Sequence, residues 1–170
     1  MPDEKVMIFI DGSNLFHAIR RNGVRINYKK LQDKLVNGRN LIQSYYFCSV
    51  HPRPKQSQID FLTSLRDIGY EVKAYKLRET PEGVLKEKGV DVGLVIEFLV
   101  QAFNRNFDVG IIISGDEDYK GAIGEAKRFG RKIEIAAFNE TINADFRRSG
   151  NLFISLDDIL PEIQIVVVIL

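Results

Sequence analysis

Two short apolar runs that each stop on acidic residues constrain this chain more than anything else in it. Val6-Met7-Ile8-Phe9-Ile10 stops at Asp11-Gly12-Ser13-Asn14, and Val109-Gly110-Ile111-Ile112-Ile113 stops at Ser114-Gly115-Asp116-Glu117-Asp118-Tyr119. A brief continuous apolar run reads as a strand buried on both faces. Segments of helical spacing lie between such runs. Ser13 to Arg21 reads as a helix with Ser13 as its cap, and Tyr28 to Val36 as a second. Pro54 to Ile68, ended by Gly69, reads as a third, and Tyr119 to Phe129, ended by Gly130, as another. Val90 to Phe103 predicts an apolar helix buried on most sides, and Phe146 to Arg148 a short one. Further strands are expected at Leu41 to Val50, Tyr70 to Leu77 and Lys132 to Phe138, with an edge strand at Leu152 to Leu156. Arg78 to Gly89 reads as a polar loop or hairpin arm. This alternation predicts an α/β fold with a mainly parallel central sheet and helices on both faces.

At 170 residues the chain has the length of one domain. No repeat or linker divides it, so one domain is expected over 1–160, followed by an apolar tail over 161–170. The tail must be packed or lie in an oligomer interface, and a homodimer is a natural expectation. It is too short to span a bilayer, and the N-terminal apolar run stops at Asp11, so a cytoplasmic location without membrane association is expected. Lys plus Arg number 24 and Asp plus Glu 23, a net charge of +1, so any basic surface must be local. Cys48 is the single cysteine, and His17 and His51 are the two histidines. That excludes a zinc cluster and leaves a hard cation held by oxygens as the metal to consider.

In a parallel sheet the crevice lies at the carboxyl ends of the strands, where both acidic turns fall. Taken alone, Asp11 or Ser13 could simply cap the next helix, and Asp91 could be an ordinary acid in a first helical turn. The turn Asp116-Glu117-Asp118 could likewise be a solvated helix start. Three acids in one turn repel one another, however, and a divalent cation relieves that repulsion. Asp116 and Asp118 can face one site only if the turn is irregular. With Asp91, opening its helix after Lys88-Gly89-Val90, the acids converge on one sheet edge. Such a cluster suits Mg2+ or Mn2+ and phosphodiester hydrolysis. Lys88 beside it suits a phosphate. Neither a Ser-His-Asp or Cys-His arrangement nor a glycine-rich phosphate loop is evident.

Asp11-Gly12-Ser13-Asn14, Lys88-Gly89-Val90-Asp91 and Ser114-Gly115-Asp116-Glu117-Asp118-Tyr119 resemble, in order, the three motifs of the NYN domain, closest to its LabA-like branch. That family belongs to the PIN-like nuclease superfamily. The resemblance runs from about Val6 to about Leu156 and implies a three-layer α/β/α PIN-like fold with a metal-dependent ribonuclease site. By motif position Asp11, Asp91, Asp116 and Asp118 would be the catalytic and metal-holding acids, with Asn14 supporting Asp11. Ser114 would be a polar neighbour of metal or phosphate, and Lys88 matches the lysine before the family's Gly-Val-Asp. Two departures stand out. Tyr119 replaces a common Phe, and Asn151 falls where the family often carries a late Asp, which puts a second metal position in doubt.

RNA contacts are expected from Lys88 and Arg147, and Tyr45, Tyr46 or Phe47 could stack on bases, although one strand cannot turn all three outward. His17 and His51 are expected on the surface and Cys48 in the core. The leading expectation is an endoribonuclease acting on single-stranded RNA with Mg2+ or Mn2+, leaving a 5′-phosphate and a 3′-hydroxyl. One alternative is a catalytically silent RNA-binding or regulatory module that keeps the acidic pocket. A further alternative is a metal-dependent phosphatase.

Overall fold

The computed structural model describes residues 3–165. Its centre is a sheet of six strands: β1 (Lys5–Asp11), β2 (Asn40–Val50), β3 (Tyr70–Lys76), β6 (Val109–Ile113), β7 (Lys132–Ala137) and β8 (Leu152–Ser155). The spatial order is β3-β2-β1-β6-β7-β8, and every pairing is parallel. β4 (Arg78–Glu79) and β5 (Leu85–Lys86) form a separate antiparallel hairpin, so the polar arm takes the second of its two expected forms.

Alternate residues of the buried strands build two cores. Val6, Ile8 and Ile10 of β1, with Tyr46 and Cys48 of β2, face one layer of helices. That layer comprises α1 (Gly12–Arg21), α2 (Tyr28–Val36), α3 (Gln56–Ile68) and α7 (Leu156–Ile163). Met7 and Phe9, with Tyr45 and Phe47, face α4 (Val90–Phe103), α5 (Lys120–Arg128) and α6 (Ala144–Arg147). The result is the three-layer α/β/α arrangement. Burying each large apolar side chain contributes about 1.5–3 kcal/mol, so these two cores dominate folding.

The expected elements are present with shifted ends, and several differences are instructive. Asp11, not Ser13, caps α1, because its carboxylate accepts the Asn14 N–H. α3 starts at Gln56 rather than Pro54. α4 is less buried than its composition predicts: Val92, Ile96, Val100 and Phe103 form an exposed apolar stripe. Tyr45, Tyr46 and Phe47 are all buried, because β2 lies inside the sheet and its two faces feed opposite cores. They present no stacking surface. Among the described residues no helix is long and apolar enough to cross a membrane. Ile163 is buried in the α7 core, while residues 166–170 of the expected apolar tail lie outside the described residues.

Candidate active site

The chain lays down β1, β2 and β3 outward in one direction, then returns to start β6, β7 and β8 in the other. The connection after β1 enters the α1 layer, whereas the connection after β6 enters the α5 layer. A crevice opens where neighbouring strands send their helices to opposite faces, at the carboxyl ends of β1 and β6. Ile10 pairs with Ile113, so Asp11 and Ser114 leave the sheet side by side.

Asp11 is the centre of the arrangement. Its Oδ2 accepts the Tyr119 hydroxyl proton at 2.8 Å and that of Ser114 at 3.3 Å, and its Oδ1 accepts the Asn14 N–H at 3.1 Å. The residue is 7% exposed. Burial pushes its carboxyl above the ordinary range, the Asn14 and Tyr119 hydrogen bonds oppose that rise, and the charge of Glu87 adds to it. Gly12 permits the turn that follows: a Cβ there would lie 2.6 Å from the Phe47 carbonyl oxygen and from the Tyr46 ring. Any side chain would lift the start of α1 off β2.

The loop after β6 is tied to the loop after β1. Asn14 Oδ1 accepts the Gly115 N–H at 3.0 Å, and Ser114 Oγ accepts the Asp116 N–H at 3.1 Å while donating to Asp11. Gly115 passes so close to the next loop that a Cβ would sit 2.2 Å from the Thr141 carbonyl oxygen. Glu117–Tyr119 is a 3-10 turn capped by Asp116, whose Oδ1 accepts the Asp118 N–H at 3.0 Å. The turn is therefore irregular, as a shared site for the two aspartates requires. Asp116 is half-buried at the crevice and Asp118 exposed within the turn.

Tyr119 lies in the field of several of these acids. Its hydroxyl is pushed up first by burial, then by the charge and hydrogen bond of Asp11, and then by the charges of Asp116 and Asp91. Asp91 stands exposed in the first turn of α4, after Gly89 in a left-handed conformation. Lys88 is exposed just before that cap and forms no salt bridge among the described residues. The Arg147 guanidinium stands 4.1 Å above the Phe153 ring of β8.

Asn151 is a correction to the sequence reading. It sits at the start of β8, where its Oδ1 accepts the Ile133 N–H at 2.8 Å and its own N–H reaches the Ile133 carbonyl at 2.6 Å. In a parallel sheet that is the edge opposite the acids, so Asn151 does not mark a metal position. Two contributors were not legible in advance. Tyr119 is the hydroxyl donor to Asp11, and Glu87 accepts from both Ser13 and Ser49. Glu87 lies within Lys86-Glu87-Lys88-Gly89-Val90-Asp91, and an acid inside that motif was the available signal.

The donor set suits a hard cation by chemistry: it is all oxygen, it is negative, and none of Asp11, Asp91, Asp116 or Asp118 is in a salt bridge among the described residues. It is not a closed cage. No group of three or more His, Cys, Asp or Glu among the described residues is placed to hold one ion. Mg2+ is characteristically held by one or two carboxylates with waters and substrate phosphate completing the shell, and the open arrangement matches that mode.

The family model of the NYN domain matches residues 5–157. The chain is similar to the Low amplitude and bright protein LabA of Synechococcus elongatus, 26% identical over 165 residues that cover 94% of this chain and 88% of that protein. Its fold is similar to the crystal structure of a protein of unknown function from Vibrio parahaemolyticus, with a TM-score of 0.81 at 18% identity, covering 96% of this chain and 98% of that one.

Proposed function

This chain belongs to the NYN domain family, a branch of the PIN-like nucleases, and from that premise we propose that it is a metal-dependent endoribonuclease working at the β1/β6 crevice. The observation that carries the reading is the buried Asp11, held by Tyr119 and Ser114, with the Asp116 backbone tied to the same Ser114 hydroxyl.

Asp11 and Asp116 would hold Mg2+ or Mn2+, with water and substrate phosphate completing the shell and Asp91 and Asp118 at the margin of the site. When bound, such an ion supplies Lewis acidity, making water a better nucleophile at neutral pH and offsetting charge on the phosphoryl oxygens. The protein groups supply position. Tyr119 and Ser114 fix the rotation of the Asp11 carboxylate through their hydroxyl donors. Asn14 holds the Gly115 backbone, so the loop carrying Asp116 keeps its distance from Asp11. Lys88 offers a positive charge to a substrate phosphate, and Arg147 a second one. Attack in line on phosphorus would leave a 5′-phosphate and a 3′-hydroxyl.

A silent RNA-binding module is the second reading, and one observation favours it: both Asp11 oxygens already have protein donors. Labelled single-stranded RNA incubated with Mn2+ or Mg2+ separates the two. Cleavage that EDTA and Asp11→Asn each abolish, with 5′-phosphate ends, supports the nuclease. RNA bound by wild type and by Asp11→Asn, with no cleavage in any metal, supports the silent module.

A further inference from the structure

The outward face of α4 serves no purpose in folding this chain. With 3.6 residues per turn, Val90, Leu94, Phe98 and Ala102 share the side that enters the core, and Val92, Ile96, Val100 and Phe103 share the side directly opposite. Those last four are 56, 59, 47 and 68% exposed. Val95 and Leu99 flank them, half-buried. Of the fourteen residues in the helix only Asp91 and Glu97 are charged. Glu97 is turned aside, accepting from Gln101 at 2.7 Å with the Lys73 ammonium 4.0 Å away. A surface helix carries its charges on the side away from the core, whereas a helix that is apolar all round is one that is covered. Phe103 meets the Phe129 ring edge-on at 5.5 Å, which extends the patch to the end of α5.

This face complements an antiparallel copy of itself. Its midpoint falls between Glu97 and Phe98 along the helix. A two-fold axis there sets Phe103 opposite the partner's Val92, and Ile96 opposite the partner's Val100. The largest side chain of the face thus meets one of the smallest, and the β-branched residues between them let the helix axes approach to about 8–10 Å. Charge agrees with that direction. Asp91 at the start of α4 and Arg105 just past its end are both exposed, and neither is in a salt bridge among the described residues. The same axis brings Asp91 beside the partner's Arg105, twice by symmetry. A parallel pair would set like charge against like at both ends, and would align the helix dipoles unfavourably as well.

We propose that α4 is a self-association surface, covered by α4 of a second copy of this chain running antiparallel. The pairing stands independently of the chemistry at the crevice. A helix of fourteen residues is about 21 Å long and 10 Å wide, so its face falls well short of the roughly 800 Å2 per partner of a standard interface, and the dimer is reversible and of micromolar affinity. Because Asp91 also stands at the margin of the candidate site, the dimer brings the partner's Arg105 to that margin in each copy.

Sedimentation equilibrium of the full chain should show a reversible dimer at about 100 µM, with a melting temperature that rises with protein concentration. Ile96→Glu sets two carboxylates facing each other near the axis and should be monomeric at the same concentration. Because Ile96 is exposed, that variant should melt with dilute wild type. Arg105→Asp should weaken dimerisation roughly 3- to 30-fold, the loss of two exposed ion pairs, and Arg105→Asp/Asp91→Arg should restore it. Cysteines read the direction, since the native Cys48 is buried. Val92→Cys mixed with Phe103→Cys and oxidised should give mainly the disulfide between unlike variants. Wild type that is still monomeric at about 1 mM would overturn the proposal. A dimer that persists in Ile96→Glu, or disulfides that join only like variants, would overturn it too. A monomer that binds phosphatidylcholine vesicles, and stops binding them as Ile96→Glu, would give the face to a lipid surface and equally overturn it.

Discussion

Asp11 is the residue where folding and function pull apart. Burial raises its carboxyl pKa above the unfolded value, so the folded state binds that proton more tightly than the unfolded chain does. Its contribution is therefore fully present below the unfolded carboxyl range and is lost as pH rises through the folded value. At pH 7 the ionised group costs stability. Asp11→Asn keeps the cap, since Asn Oδ1 can still accept the Asn14 N–H, and removes the charge. The variant should melt a few degrees higher than wild type at pH 7, the shift that about 1 kcal/mol gives in a chain of this size, with the gap closing at acidic pH. Calorimetry across pH checks it, and the same variant should lose RNA cleavage. Tyr119→Phe removes a hydroxyl donor to a buried carboxylate, which should cost about 1–3 kcal/mol in denaturant melts. It should also move the acidic limb of the cleavage profile to higher pH, because the ionised Asp11 loses a partner. The positions of Asp11, at the end of β1, and of Ser114 and Asp116, within three residues of the end of β6, were legible in the sequence because an apolar run marks each strand end. Tyr119 was not, because its bond to Asp11 joins residues 108 positions apart and no local pattern encodes it.

Among the elements, the 3-10 turn Glu117–Tyr119 matters most for the site, since it replaces a regular first turn of α5 and brings Asp116 to the crevice while turning Tyr119 inward. The opposite edge of the sheet is fixed by charge. Arg39, before β2, donates to both Glu134 carboxylate oxygens at 2.7 and 3.0 Å and to the Leu35 and Val36 carbonyls. Arg39→Leu leaves Glu134 buried without a counter-charge and should cost on the order of 3 kcal/mol, most of it recovered in the double variant Arg39→Leu/Glu134→Leu. Urea melts of the four-member cycle measure that recovery. Most strand and helix positions were readable from apolar runs and period, with end errors of a few residues, but α7 (Leu156–Ile163) was not expected. The exposed stripe on α4 was not, because Val, Ile and Phe read as core wherever they occur in a helix, and their exposure depends on which neighbours the topology supplies. Asn151 misled for a similar reason: it was placed by a motif match just before an apolar run, whereas the start of a parallel strand lies at the sheet edge opposite the ends of its neighbours.

For the whole molecule, alternation of apolar runs with helical segments was enough to expect the parallel three-layer fold. The order of the strands, which sets β1 beside β6 at the crevice, depends on pairings between distant segments that the alternation does not encode. Any ion held at that crevice binds the folded chain and not the unfolded one. Saturating Mn2+ should therefore raise the melting temperature of wild type by several degrees and leave Asp11→Asn nearly unmoved, with stabilisation approaching about 2.7 kcal/mol at a hundredfold excess over Kd. A differential scan with and without EDTA reads it directly, and no shift in wild type would count against the carboxylate assignment. Every neighbour in the sheet is parallel, and β1 lies between β2 and β6. On the ribosome, β1 emerges first and can pair with β2 early, yet its other edge waits for Val109–Ile113. Throughout that interval the nascent chain carries an unpaired, wholly apolar strand edge, a template for wrong partners. Slowing translation before residue 109 should therefore raise the fraction that aggregates, whereas slowing it after β6 has emerged should matter far less.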